Sequence, residues 1–474
     1  MTRRNWVRLD NASNIFLAAR TDADPKVFRV GAEMDEEVDA GLLQAALEEV
    51  FDRFPLYHAV LRRGVFWYYL QDSDLLPRVA PETEPSCSPL YQSDHRTLLF
   101  RVLHHERRIS LEVFHALSDG TGALWFLTEL LAAYARRRAS APAHPAPRGP
   151  RPAPPLHTLT TDSFAHYFRR RRRRVEDPDH AREFTRDAAP AALTVGQAVE
   201  AEEDGPTLAP TPPPAPRRRG RVHRVRGTRT PDHRTRVLEL TMPTAQALAL
   251  ARAERVALTM YLTALFLESV RRAAGGAADR SRLVVSVPVN LRQFFPSTSA
   301  RNFFATTSVE HTYGDDETLD EPGEVARALQ EAFDAEAAPA ALAQRLRGLQ
   351  RVERSPFSRI VPRPLKDVLL GLVNRGNNRH LTVAVSNLGR VVLPEAAAAQ
   401  VRSLQFHVSA ARPQFCAISH GDLLTVTFTS PFVETDHVRE FARLLTARGV
   451  DVTVAAPRTT EAELAETEDE EVER

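Results

Sequence analysis

The segment Phe114-His115-Ala116-Leu117-Ser118-Asp119-Gly120 constrains this chain most, because two different backbone periods meet in it. The run Ile109-Ser110-Leu111-Glu112-Val113-Phe114 alternates loosely between apolar and polar residues, the period of a strand. Beyond Gly120 the period becomes helical, with Ala123, Leu127, Leu130, Leu131 and Tyr134 sharing one face. His115 therefore falls where a strand ends, and Asp119 and Gly120 fall in the tight turn before a helix. Glycine there admits a backbone angle or a close approach that a side chain would obstruct. An imidazole with an ordinary pKa of ~6.5 accepts a proton near neutrality, and a well-placed general base contributes ~10²- to 10⁴-fold in rate. The same residues also fit a plain core histidine followed by an aspartate that caps the helix by accepting from its orphan amides.

The order His-x-x-x-Asp-Gly at a strand end, about a quarter of the way along the chain, resembles the chloramphenicol acetyltransferase-like superfamily. That group includes alcohol acetyltransferases, peptide-synthetase condensation domains and polyketide-associated acyltransferases, and the resemblance is nearest to bacterial alcohol acetyltransferase-like proteins. Members often carry a second histidine just before the catalytic one. Here Phe114 takes that place, and His115 matches the base itself. Val287-Pro288-Val289-Asn290-Leu291-Arg292, after the apolar Leu283-Val284-Val285, looks like a second-lobe strand of the family ending in an arginine. The resemblance implies that Arg292 pairs with Asp119 as a structural ion pair, a task that suits the planar guanidinium fork. Read alone, Arg292 also fits a solvated surface position. Val385-Ser386-Asn387-Leu388-Gly389 resembles the segment bordering the acyl channel, and alone it reads as a strand end turned by Asn and Gly. Near the start, the amphipathic run Leu42, Leu43, Ala46, Leu47, Val50, Phe51 and a hairpin around Arg62-Arg63-Gly64 look like the family's N-terminal region.

What the resemblance implies is an α/β (α+β) fold of two lobes, each a mixed sheet flanked by helices, with an active-site tunnel between them. His115 would act there as general base, moving an acetyl or other acyl group from acyl-CoA to an alcohol or, second, an amine. Asp119 and Gly120 would be structural. Ser386, Asn387 and Asn302 are the candidates for contacting substrate or the oxyanion. No cofactor is expected to be held permanently, acyl-CoA being a co-substrate, and an acyl carrier protein is an alternative donor. Two alternatives within the same fold are a carrier-dependent condensation or polyketide-tailoring enzyme and a catalytically silent binding member.

Length and charge are consistent with this. At 474 residues the chain exceeds the usual size of one core, so two lobes are expected. Lys plus Arg number 62 against 61 for Asp plus Glu, so overall charge does not argue for nucleic acid or an anionic surface. The balance hides basic runs at 169–174 and 217–226 and an acidic stretch at 461–473. The basic runs lie in proline-rich, linker-like sequence without interleaved aromatics, so a nucleic-acid partner is not expected. The expected organisation is a first lobe at 1–138 and a Pro/Arg-rich linker at 139–234. A short segment near 158–168 (Leu159, Phe164, Tyr167, Phe168) is expected to dock. A second lobe at 235–456 and a disordered acidic tail at 457–474 complete the chain.

In the second lobe the pattern predicts strands from 236, at 283–289, 304–311, 381–385, 404–409, 415–419 and 423–429. Helices are predicted at 259–267, 321–349, 364–374 and 437–447. Cys87 and Cys416 are isolated, which suits a reducing cytoplasm, and no metal is expected because the remaining histidines lack ligand spacing. There is no phosphate-binding loop, dinucleotide fingerprint or Gly-x-Ser-x-Gly elbow, so energy-coupled, redox and serine-hydrolase chemistries lack their parts. The segment Met1-Thr2-Arg3-Arg4-Asn5-Trp6 lacks the apolar core of a signal peptide, and no uncharged run approaches the ~20 residues needed to span a bilayer, so a cytoplasmic protein is expected. A monomer is expected.

Overall fold

The computed structural model describes residues 6–9, 11–21, 23–92, 95–139, 167, 221–230, 234–314, 320–354, 361 and 363–456. The alternating run before His115 forms β7 (Arg108–Phe114), which pairs antiparallel with both β2 (Val27–Met34) and β6 (Phe100–His105). β5 (Val79–Pro81) extends the sheet parallel to β6. Alternation puts Phe28, Val30, Val113, Leu111 and Val102 on one face, where they are buried against α2 (Ala40–Phe51) and α3 (Gly120–Ala139). Asp39 caps α2 by accepting from the Leu42 amide at 2.8 Å. The small hairpin β3 (Ala59–Arg63) and β4 (Tyr68–Asp72) carries β1 (Trp6–Arg8) on its outer edge, and α1 (Asn11–Ala19) follows β1.

The other face of the large sheet is polar yet closed. Glu112 is fully buried, taking Arg29 Nε at 2.9 Å and the Cys87 amide at 2.7 Å on one oxygen and Arg101 Nε at 2.7 Å on the other. A buried carboxylate persists only when its oxygens are satisfied in this way.

The second lobe is a seven-stranded mixed sheet. It is built from β8 (Arg236–Pro243), β9 (Arg282–Asn290), β10 (Phe304–Thr312), β11 (Val383–Val391), β13 (Gln414–His420), β14 (Leu423–Ser430) and β15 (Thr453–Ala455). The spatial order is β10-β9-β11-β13-β14-β8-β15. Helices α4 (Thr244–Ala253), α5 (Leu258–Ala273), α6 (Pro322–Ala337), α7 (Pro339–Arg354) and α10 (Asp436–Thr446) flank it, whereas α8 (Arg363–Arg379) lies against α1 and the single-turn α9 (Glu395–Ala398) against α3. Its core centres on Phe266, whose ring meets Phe415 at 5.5 Å and Phe428 at 5.3 Å, both edge-on.

Three elements differ from the sequence pattern. The 321–349 helix is divided in two, because Ala338 is extended (ψ 136) ahead of Pro339, as a residue preceding proline prefers. β11 does not stop at a turn after Val385. It continues to Val391 through a register shift between Asn387 and Arg390, with Gly389 at φ +74 supplying the irregular step. The largest difference is β12 (Val401–Val408). It belongs by position to the second lobe but pairs with β2, Leu404 opposite Ala32 and Phe406 opposite Val30. A division of the chain at 138 and 235 therefore leaves one strand of the first sheet in the second stretch, since alternation reveals a strand but not its partner. Arg108 adds a bidentate link to Glu239 of β8 at 3.1 and 2.8 Å.

The linker expectation for 139–234 and the tail expectation for 457–474 fall mostly outside the described residues. Tyr167 is described, and its ring lies 5.4 Å from Phe295 and 6.0 Å from Phe303.

Candidate functional site

β7 ends at Phe114, and the chain turns at once: the Leu117 amide donates to Phe114 O at 2.8 Å, and the His115 amide donates to Lys26 O at 2.8 Å. This turn presents His115 to the second lobe. Phe114 points the other way, buried in the first core with its ring stacked on Tyr91. The residue in the family's second-histidine position is therefore a packing residue here.

His115 is half-buried and enclosed by aromatic rings. Phe16 of α1 stacks on it at 3.9 Å with an interplanar angle of 12°, while Phe28 and Phe304 approach at 4.9 and 5.6 Å. Burial pushes its pKa down to about 4, although the Asp119 charge and the Asn302 side chain pull the other way. The imidazole is thus uncharged across the neutral range.

Asn302 sets which nitrogen carries the proton. Its Nδ2 donates to the His115 carbonyl at 2.7 Å and to Ser13 Oγ at 2.8 Å. A carbonyl only accepts, so the NH₂ group must face it, and Oδ1 then faces His115 Nδ1 at 3.3 Å. Nδ1 must in turn be the protonated nitrogen, leaving the lone pair on Nε2. Asn302 was expected to touch substrate or an oxyanion. Both hydrogens of its amide are instead engaged within the protein, and its contacts fix the orientation of the His115 ring.

Asp119 works as the joint between the lobes. Oδ1 accepts from the Gly122 amide at 2.9 Å, which caps α3, and Oδ2 accepts from the Phe303 amide at 2.8 Å and from Arg292 Nη1 at 2.7 Å. Arg292 also donates through Nη2 to the carbonyls of Ser299 and Arg301, both at 2.8 Å, and its guanidinium lies 5.3 Å from the Trp125 ring. Both side chains are less than a tenth exposed.

Two glycines permit this closeness. A Cβ on Gly122 would sit 2.2 Å from Ala300 O, and one on Gly120 would sit 2.7 Å from Leu388 Cδ2. For Gly120 the requirement is close approach. Leu388 is also what brings β11 to the histidine loop. Two residues earlier on that strand, the Ser386 hydroxyl makes no hydrogen bond among the described residues, while its backbone sits in the β11–β13 pairing. Asn387 is committed: Nδ2 donates to Thr259 Oγ1 at 2.8 Å, and Oδ1 accepts from the Gly389 amide at 2.7 Å. Of the three candidate contact residues, Ser386 retains a free donor. Phe16 and Ser13 escaped the sequence reading because they are a ring and a hydroxyl in a short helix without a motif. Among the described residues no group of three or more His, Cys, Asp or Glu side chains is placed to hold a metal.

Among the described residues His115 is one of four histidines, with His223, His407 and His437, whose burial opposes protonation. Burial puts His437 at about 4 as well, and His407, against Arg29 and Arg108, well below its ordinary value. The unfolded chain takes up these protons near pH ~6.5, so stability is intact above that and is lost as pH falls toward about 4. His115 and His437 each account for on the order of 3 kcal/mol, together a large part of a typical domain's stability. Thermal melts should therefore show the midpoint falling steeply below about pH 6, and His437→Gln should blunt that fall. A midpoint flat to about pH 4.5 would contradict the burial of these rings.

No family model matches the chain, and no curated protein matches it. Solved structures do. Polyketide synthase associated protein 5 from Mycobacterium tuberculosis aligns over 94% of this chain and 98% of its own, with TM-score 0.57 and 13% identity. Trichothecene 15-O-acetyltransferase from Fusarium sporotrichioides aligns over 94% of each chain, with TM-score 0.54 and 9% identity. The starter condensation domain of rhizomide synthetase, solved with C8-CoA and Leu-SNAC, aligns over 93% of this chain and 94% of its own, with TM-score 0.52 and 12% identity. The chain thus has the two-lobed fold of chloramphenicol acetyltransferase-like proteins and condensation domains.

Proposed function

We propose that this protein is an acyltransferase that moves an acyl group from acyl-CoA to the hydroxyl of a small-molecule alcohol, with His115 as general base. The observation that carries the reading is the half-buried His115 imidazole at the junction of the lobes, held from Nδ1 by Asn302 so that Nε2 is left to accept a proton, with burial lowering its pKa. In the step proposed, Nε2 takes the hydroxyl proton as the acceptor oxygen attacks the thioester carbonyl. The Ser386 hydroxyl donates to the oxyanion. Collapse breaks the C–S bond, and the departing thiolate takes the proton back from Nε2, so ester and free thiol form with the base restored. Asp119 and Arg292 hold the loop and touch no reacting atom. The fold's occurrence in an O-acetyltransferase and in a domain solved with C8-CoA supports both the acceptor and the donor class.

A carrier-protein thioester as donor is the second reading, supported by the likeness to condensation domains. Incubation with acetyl-CoA and longer acyl-CoAs against a panel of alcohols should release free thiol only when a suitable alcohol is present. Transfer from an acylated phosphopantetheinyl carrier but from no acyl-CoA would move the assignment to the second reading. Failure of every thioester to be consumed would leave a binding protein with this fold.

A further inference from the structure

Helix α8 leaves an apolar stripe uncovered. Leu365, Val368, Leu369, Leu372 and Val373 recur at the spacing of one helix face and are each 52 to 60% exposed. A solitary exposed leucine is ordinary, whereas five on one face are not. The opposite side of the helix is packed on the protein: a Cβ on Gly371 would lie 3.5 Å from Ala18 O in α1.

A second element is fixed beside the stripe. At the tip of the β3–β4 hairpin, Val65 is 72% and Phe66 43% exposed. Three contacts tie that tip to α8: Lys366 Nζ donates to Phe66 O at 3.1 Å and lies 3.5 Å from the Trp67 ring centroid, and Tyr68 Oη donates to Asp367 at 2.9 Å. Trp6, also exposed, packs edge-on against Tyr69 of the same hairpin at 5.9 Å. Three elements, α8, the hairpin tip and β1, thus present leucine, valine, phenylalanine and tryptophan side by side.

The charges around this surface select its occupant. α8 carries four basic residues, Arg363, Lys366, Arg375 and Arg379, and one acid, Asp367, which is engaged by Tyr68. At 100° per residue, Lys366 and Arg375 bracket the apolar arc on either side and Arg379 lies along its edge. Arg375 and Arg379 have no ion-pair partner among the described residues. Pairing this face with a second copy would bring these cations against each other with no free acid in the helix to offset them. The acidic stretch at 461–473 has the right charge, but Leu464 and Val472 are its only large apolar residues and lie eight apart, too few to fill the stripe.

We infer that the stripe on α8 and the hairpin tip form a docking surface for an anionic lipid layer, apolar side chains entering below the headgroups and the basic residues lying among them. An apolar helix face edged by Lys and Arg, with aromatic anchors beside it, is the composition that lies in a membrane interface. The surface is independent of the proposed chemistry, though α1 connects the two, since its Ala18 touches α8 and its Phe16 stacks on His115.

The test is co-sedimentation of the full-length protein with vesicles of mixed phosphatidylglycerol and phosphatidylcholine, set against pure phosphatidylcholine, together with light scattering of the protein alone. The mixed vesicles should bind the wild type more tightly, and added salt should weaken that binding. Leu369→Glu/Leu372→Glu should lower it at least about tenfold without lowering the melting midpoint, because both side chains are already exposed. Arg375→Glu/Arg379→Glu should lower it by roughly fivefold or more per residue, about what one basic group contributes near an anionic surface. Absence of binding to the mixed vesicles, or equal binding by the leucine variant, would overturn the inference. A wild-type dimer that the leucine variant converts to monomer would overturn it too, by showing that two copies share this face.

Discussion

Replacing His115 with alanine is expected to lower the rate of acyl transfer by about 10²- to 10⁴-fold, the span of a positioned general base. The melting midpoint should move by only a few degrees. The ring is uncharged in the fold and half-buried, so its removal strands no buried charge. The affected polar group is Asn302 Oδ1, which loses one hydrogen bond of 3.3 Å, while the Asn302 amide hydrogens keep the His115 carbonyl and Ser13. Rate and stability should therefore separate. Stopped-flow thiol detection beside a thermal melt reads both, and an alanine variant with full turnover would remove the base from the mechanism.

The second large effect falls on stability. Removing one partner of a buried ion pair leaves the other charged and desolvated, typically a loss of about 3–5 kcal/mol. Two side chains in one pair need not cost the same here. Arg292→Ala leaves the Asp119 carboxylate with the Gly122 and Phe303 amides, whereas Asp119→Ala strands those two amides and the guanidinium together. Asp119→Ala should thus be the more destabilising, and both should slow transfer, since the carboxylate joins α3 to the segment carrying Asn302. Denaturant titration checks the order. Variants that melt like the wild type would show that the pair does not hold the loop.

Part of this site was legible in the chain. The period change around residues 109–134 located His115 at a strand end, and the strand stops there, with α3 starting at Gly120. The pairing of Arg292 with Asp119 came from the resemblance, and the two side chains lie 2.7 Å apart. The contacts of Asn302 were not legible, because its partners Ser13 and His115 are 289 and 187 residues away in the chain. Asn387 looked available for the same reason: its bond to Thr259 crosses 128 residues. The placement of β12 in the first sheet was equally hidden, since a strand's own pattern is the same whichever edge it joins. Local period locates elements, and what each side chain finally touches is decided by pairings that no window contains.

The proposal rests on an uncharged His115 whose proton sits on Nδ1, and ¹⁵N-resolved histidine spectra read that directly, with His115→Ala giving the assignment. The expected result is an Nδ1–H tautomer that persists from about pH 8 to about pH 5.5 without titrating. An Nε2–H tautomer, or an imidazolium already forming near pH ~6.5, would contradict it.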